Sequence, residues 1–278
     1  NIDEDMIKLL PLKDVAAVFA MSFKPEGIKE LLKLIGVEGY ANMGLAFAGF
    51  SLDDFIKANK GDILISVGDF KKQHDTANTG THAQLLNVKP NVLFATSIGD
   101  KEVFNQLIKA AEKFGKSVPA DFPVTYNSNG KYFAISNSKE NTDKYIANNS
   151  NNNFDFLSKI SGNPFGGYIN LQYILKTFES DATKDSTAKI IYDASLKIWD
   201  NVYIKGGNYE DGALTQTVEI NLMDKNTNSL KQLNQYLGYV GQIMEEKKKQ
   251  RELLDLSSDV QTVYPPLSAL GDSANSKK

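Results

Sequence analysis

The chain has 278 residues, 41% of them hydrophobic and 23% charged, with a formal net charge of -3 and no Cys. A chain of this length buries roughly 75% of its unfolded surface, so it needs no disulfide or structural metal to hold a core. The weak negative charge argues against a nucleic-acid partner, and the missing Cys removes disulfides, thiolate nucleophiles, iron–sulfur clusters and Cys-based zinc sites.

In chain order, Asn1–Asp5 is polar and acidic, unlike a signal peptide. A start at Asn rather than Met is expected of a piece cut from a longer precursor, with any targeting segment upstream. A short helix ends at Pro11. Val15–Phe23 reads as a strand. Pro25 opens a helix with an apolar face at Ile28, Leu31, Leu32 and Ile35, stopped by Gly36. Val37–Phe50 fits either a closely packed helix or a buried strand. Ser51, Asp53 and Asp54 start a short helix. Ile63–Phe70 is a strand, and Lys71–Asn87 a polar excursion.

Val92–Ile98 is the next strand, and Gly99-Asp100 starts a helix on Val103, Phe104, Leu107, Ile108, Ala111 and Phe114. A hairpin is expected around Asn127–Gly130. A brief helix over Thr142–Ala147 precedes the Asn-rich loop Asn148–Asn153, the expected boundary between halves. A short helix over Phe154–Ser161, a strand over Gly166–Leu171 and a helix over Tyr173–Phe178 follow. Ala188–Leu196 is amphipathic. Asn201–Lys205 and Ala213–Met223 pair around Gly206-Gly207-Asn208. The longest helix spans Ser229 to about Leu254, with Leu230, Leu233, Leu237, Val240 and Ile243 as its buried stripe, and a tail follows Leu256.

The order echoes itself. A strand running into a helix appears as Val15–Ile35 and again as Gly166–Phe178. A strand closed by Asp-Lys before a helix appears as Val92–Phe114 and again as Thr215–Val240. Hairpins followed by separate helices predict an α+β fold, with antiparallel sheet, helices packed on one face and two weakly related halves. The expected division is 1–150, 151–256 and an extended tail, 257–278. No stretch approaches the ~20 apolar residues of a membrane-spanning helix.

No motif carries chemistry. His74, Asp75 and His82 form the only cluster with His, but eight residues separate the two His, so no regular element presents both to a metal. Asp224-Lys225-Asn226-Thr227-Asn228 has the opening of a calcium loop, yet Ser229 and Gln235 stand where Gly and Glu belong. The simpler reading is a helix cap. Gly36, Gly39, Gly44 and Gly49 lack phosphate-loop spacing and are expected to permit close packing. Asp53-Asp54 and Glu245-Glu246 are adjacent acids that point apart on helices, so no carboxylate pair converges locally. Tyr126, Tyr132, Tyr203 and Tyr209 lie in or beside hairpins, where exposed rings would stack on sugars or a protein partner; the simpler reading is cross-strand packing and rim positions. The expected catalytic, cofactor and metal residues are therefore none.

AAVFAMSFKPEGIKELL, GDILISVGDF and GGYINLQYIL, together with the Asn/Lys/Tyr-rich loops, resemble a family of Bacteroides-type envelope lipoproteins of unknown function. The resemblance spans most of the chain and implies a lipid anchor upstream and a periplasmic or surface location. It implies no site residue. The resulting expectation is a non-enzymatic envelope protein, a binding or scaffolding module whose partner is an envelope protein or a glycan, with homo-oligomerisation open. The alternatives are a glycan-acting hydrolase and a non-catalytic glycan-binding module.

Overall fold

A computed structural model describes residues 1–47, 49–72, 88–115, 124–182 and 185–261. The elements run α1 (Glu4–Lys8), β1 (Val15–Ser22), α2 (Glu26–Leu34), α3 (Glu38–Phe47), α4 (Leu52–Ala58), β2 (Asn59–Lys72), β3 (Val88–Ile98), α5 (Lys101–Gly115), β4 (Thr125–Ser128) and β5 (Tyr132–Ser136). Then come α6 (Lys139–Ile146), α7 (Leu157–Ile160), β6 (Phe165–Asn170), α8 (Leu171–Thr177), α9 (Glu179–Ala182), α10 (Ser186–Ile198), β7 (Trp199–Glu210), β8 (Ala213–Leu222) and α11 (Ser229–Gln261). The fold is α+β. Among the described residues, eight strands join one sheet in the order β4-β5-β3-β2-β1-β6-β7-β8, and every neighbouring pair is antiparallel.

That order is a mirror about the β1/β6 pair. Outward on one side lie β1, β2 and β3. Outward on the other lie β6, β7 and β8. Helices separate β1 from β2 and β6 from β7, hairpins join β2 to β3 and β7 to β8, and a helix follows each hairpin. α4 packs on α5, and α10 packs on α11. The hairpin β4–β5 has no counterpart among the described residues and covers the outer edge of β3.

The chain forms two compact units that do not follow its linear halves. One is Asn1–Asp181 with Trp199–Met223, and it holds the whole sheet. The other is Ala182–Ile198 with Asp224–Lys278, built on α10 and α11. The Asn148–Asn153 loop is tied down within the first unit. The Asn152 backbone N–H donates to the Lys8 carbonyl at 2.9 Å, and its side-chain amide donates to the Leu10 carbonyl at 2.7 Å.

Strand alternation sends Leu64, Ala95 and Ala134 to one face of the sheet, where α1, α6 and α7 close over them. The core there gathers Met6, Ile7, Leu10, Val18, Leu93, Tyr132, Tyr145, Leu157 and Ile160. α1 is short but well framed: the Asp3 side chain caps it, Glu4 and Asp5 lie in its first turn and Lys8 in its last. A smaller cluster on the other face joins Phe104, Val103 and Leu107 of α5 to Phe133 and Ile135 at one end of the sheet.

Local geometry corrects several expectations. The β7–β8 hairpin turns at Asp211-Gly212, both at positive φ (49° and 81°), as a tight two-residue turn requires. Gly206 and Gly207 lie inside β7, where the register with β8 shifts, so they mark a bulge. Asn127 and Ser128 belong to β4, leaving Asn129 and Gly130 at that turn. α3 is a helix whose Tyr40, Met43 and Phe47 are exposed. Gly39 and Gly44 have open space where a Cβ would stand, so neither serves close packing, while Gly36 and Gly49 take the positive φ that ends a helix. On α11, Leu230 and Leu237 are exposed, and Leu233, Tyr236, Val240 and Ile243 form the half-buried stripe instead. α11 also runs past Leu256 to Gln261, into the stretch expected as tail.

Candidate functional site

The face of the sheet opposite the α1–α6–α7 layer is the most distinctive surface of the first unit. The pairing register draws one row across all eight strands: Tyr126, Ile135, Phe94, Ile65, Phe19, Gly167, Ile204 and Val218. A second row beside it runs Val92, Val67, Ala17, Ile169, Val202 and Ile220. The only polar atom in either row is the Tyr126 hydroxyl, which donates to Glu112 of α5.

Neither row is sealed. Ile65 is 41% exposed and Val218 56%, while Phe19, Phe94, Ile135 and Ile204 are half-buried. Leu64, next to Ile65 in sequence but on the closed face, is 0% exposed. At the centre, the Phe19 ring lies over Gly167, where a Cβ would come within 2.8 Å of its edge. The missing side chain thus makes room for the ring. Contiguous apolar surface of this kind is unusual on a protein that works alone. The same unit also exposes Leu31, Leu34 and Ile35 on α2 beside Tyr40, Met43 and Phe47 on α3, and these two helices pack on each other and on α4.

The closed face carries the buried polar groups. The Ser97 hydroxyl donates to Asp62 Oδ2 at 2.7 Å, and the Asp62 N–H donates back to Ser97 Oγ at 3.0 Å. From the other face, Thr96 Oγ1 donates to the Asp62 carbonyl at 2.9 Å. The Tyr132 hydroxyl donates to Asp3 Oδ2 at 2.9 Å. Burial first, and the Asp3 carboxylate second, push the Tyr132 phenol well above its usual range. Burial does the same to Tyr145, which packs edge-on against Tyr132. Asp62, Ser97 and Thr96 satisfy one another, as do Tyr132 and Asp3, while the buried Tyr145 hydroxyl has no hydrogen-bond partner among the described residues.

Asp53, Asp54, Glu245, Asp224 and Asp100 have local work. The Asp54 side chain completes a capping box with Ser51, and Asp53 pairs with Lys29 at 2.8 Å. Glu245 pairs with Lys249 at 3.0 Å. Asp224 Oδ1 accepts from the Asn226 N–H at 2.8 Å, and hydrogen bonds from Thr227 and then Asn226 hold its carboxyl below the usual range. Asn228 Oδ1 caps α11 by accepting from the Lys231 N–H at 3.1 Å. The calcium-like run is therefore a turn and a cap. Asp100 plays the matching part before α5, accepting from the Glu102 and Val103 N–H groups at 2.9 and 3.1 Å. His74, Asp75 and His82 lie outside the described residues. Among the described residues, no group of three or more His, Cys, Asp or Glu side chains is placed to hold a metal.

The four hairpin tyrosines do not align. Register puts Tyr126 on the open face at β4 and Tyr209 on the same face at the far hairpin, opposite Leu214. Tyr132 is buried in the core, and Tyr203 lies with Tyr168 and Phe156 on the closed side. In the second unit, a cleft of about 640 Å³ is lined by Asp193, Lys197, Asp224, Tyr236 and Tyr239, among others. None of those titratable groups is buried.

Neither family models nor curated proteins nor solved structures give a match to this chain. No described helix is long and apolar enough to cross a membrane.

Proposed function

We propose that this protein is a non-enzymatic binding module of the cell envelope, which holds an apolar surface of a partner protein against the open face of its sheet. The observation that carries the reading is the pair of apolar rows crossing the sheet, left half-exposed while the opposite face is closed. Apolar burial is the main driving force of stable association, and six to eight adjacent strand positions without a charge suit a protein surface better than a sugar. The scattered tyrosines speak against a glycan platform, and the named acids lie on α4 (Asp53, Asp54), on α11 (Glu245) and in the turn before it (Asp224), with Asp53, Asp54 and Glu245 paired locally. The envelope assignment is supported by the lipoprotein resemblance of Ala16–Leu32, Gly61–Phe70 and Gly166–Leu175. The mirrored strand order supports reading the sheet as two copies of one strand–helix–hairpin–helix unit.

A photo-crosslinking residue placed at Ile65 in cells is expected to give one discrete envelope-protein adduct, and the same residue at exposed Lys13 none. Adducts that do not distinguish the two positions, or turnover of an envelope glycan panel by the purified protein, overturn the proposal.

A further inference from the structure

We infer that the outer edge of β8 is a self-association interface, on which a second copy of this chain pairs antiparallel through its own β8 about a two-fold axis. The edge of the sheet, rather than its open face, is the surface involved, so this goes beyond the partner-binding reading above.

An open strand edge specifies its occupant more narrowly than an apolar face does. Half of its backbone N–H and C=O groups point outward, and another extended strand satisfies them. β8 is the last strand on its side of the sheet and spans Ala213–Leu222. Every residue from Ala213 to Ile220 is exposed. The mirror order supplies a second argument. β3 occupies the matching position on the other side, and β5 fills its outer edge from Leu93 to Ser97. A strand is thus what this position takes where the chain provides one.

The two edges of the sheet are guarded differently. β4 has four residues, and α6 reaches onto them: the Asn127 amide donates to Asp143 Oδ1 at 3.1 Å, and the Thr125 and Thr142 hydroxyls meet at 3.1 Å. β8 has ten residues, with no Pro and no Lys or Arg, and Glu219 is its only charge. Proteins that stay apart block such edges with charges, prolines or short strands.

The side chains of β8 are complementary to themselves. In a register centred on Val218, Val218 faces the partner's Val218, and Leu214 faces the partner's Leu222. Thr217 then faces the partner's Glu219, so the one charge meets a hydroxyl and not its own copy. Val218 and Ile220 would meet apolar or amide groups on the face that already carries the apolar rows, and the row ending at Val218 would continue into the second copy. Cross-strand pairs of β-branched residues are a main source of sheet stability.

The test is sedimentation of the full chain over a wide concentration range, with oxidation of single-Cys variants in an otherwise Cys-free protein. The wild type is expected to reach a dimer. V218K, which sets two ammonium groups opposite each other, should raise the dissociation constant about a hundredfold while the circular-dichroism spectrum stays that of the wild type. V218C should oxidise to a covalent dimer much faster than L34C, whose position on α2 is 84% exposed. A wild type that remains monomeric throughout, a V218K dimer of unchanged affinity, or equal oxidation of the two Cys variants overturns the inference. A monomer whose β8 edge is instead protected by an extended peptide of another protein also overturns it.

Discussion

Leu64 and Ile65 are neighbours in sequence and opposites in structure. Leu64 is fully enclosed by the layer of α1, α6 and α7, and Ile65 is 41% exposed at the centre of the apolar row. The residues are nearly the same in size and hydrophobicity, so the contrast comes entirely from what lies above each face. It teaches that one side of this sheet is finished by its own chain, and that the other, beyond the end where α5 packs on Phe133 and Ile135, is built of the same material without being finished.

The contrast is broken most sharply by truncation. Leu64→Ala leaves a cavity in a closed core and should cost about 2–5 kcal/mol in chemical denaturation. Ile65→Ala should cost about 1 kcal/mol or less, since its side chain already meets water. Equal losses would mean that the open face is covered in the free protein.

Gly166 and Gly167 repeat the comparison on β6. A Cβ at Gly166 would stand 2.8 Å from the Ile160 carbonyl oxygen and 2.8 Å from Ile2 Cδ1, on the closed side. One at Gly167 would meet only the Phe19 ring within 3.4 Å. Gly166→Ala should therefore cost on the order of 1–3 kcal/mol, because backbone has to move. Gly167→Ala should cost visibly less, because the Phe19 ring is free to swing toward solvent. Urea midpoints of the two variants decide it.

The smallest effect is a titration. Burial on the closed side, with nearby Tyr203 next in importance, raises the Tyr168 phenol to about 12. A phenol whose folded pKa is raised favours its neutral form in the fold. Its stabilising contribution is fully present below the unfolded value near 10 and is lost as pH rises through about 12. Phenolate absorbance should show Tyr168 ionising late, and Tyr168→Phe should remove that late step.

What could be read from sequence divides along the same line. The strands β1 to β3 are legible because Val15–Met21 and Ile63–Val67 are nearly continuous apolar runs, and the Ser51/Asp54 and Asp100 caps are legible because capping is local. The β7–β8 turn is not legible because Gly206-Gly207 competes with Asp211-Gly212 as a turn signal. Only the register with β8 shows which pair turns and which bulges. Leu230 and Leu237 satisfy a helical stripe as well as Leu233 and Val240 do, and packing on α10 chooses between them. The Asp62–Ser97 and Asp3–Tyr132 pairs span 35 and 129 residues, so no spacing rule finds them. Runs such as ILISV announce two apolar faces, but which face the chain itself covers depends on where α1, α6 and α7 dock, and that is a long-range outcome.

The seam between β1 and β6 has a consequence for how the protein is made. β1 is synthesised well before β6, yet it is a central strand whose second neighbour does not exist until Phe165–Asn170 has been synthesised. The helix before it waits as well, since Ile2 is held by the Asn163 carbonyl and α1 by Asn152. The growing chain therefore carries this apolar strand and helix without their later partners while all the intervening elements are made. Its handling before release, by chaperones or by an export pathway that keeps it unfolded, matters as much to its yield as the stability of the finished sheet.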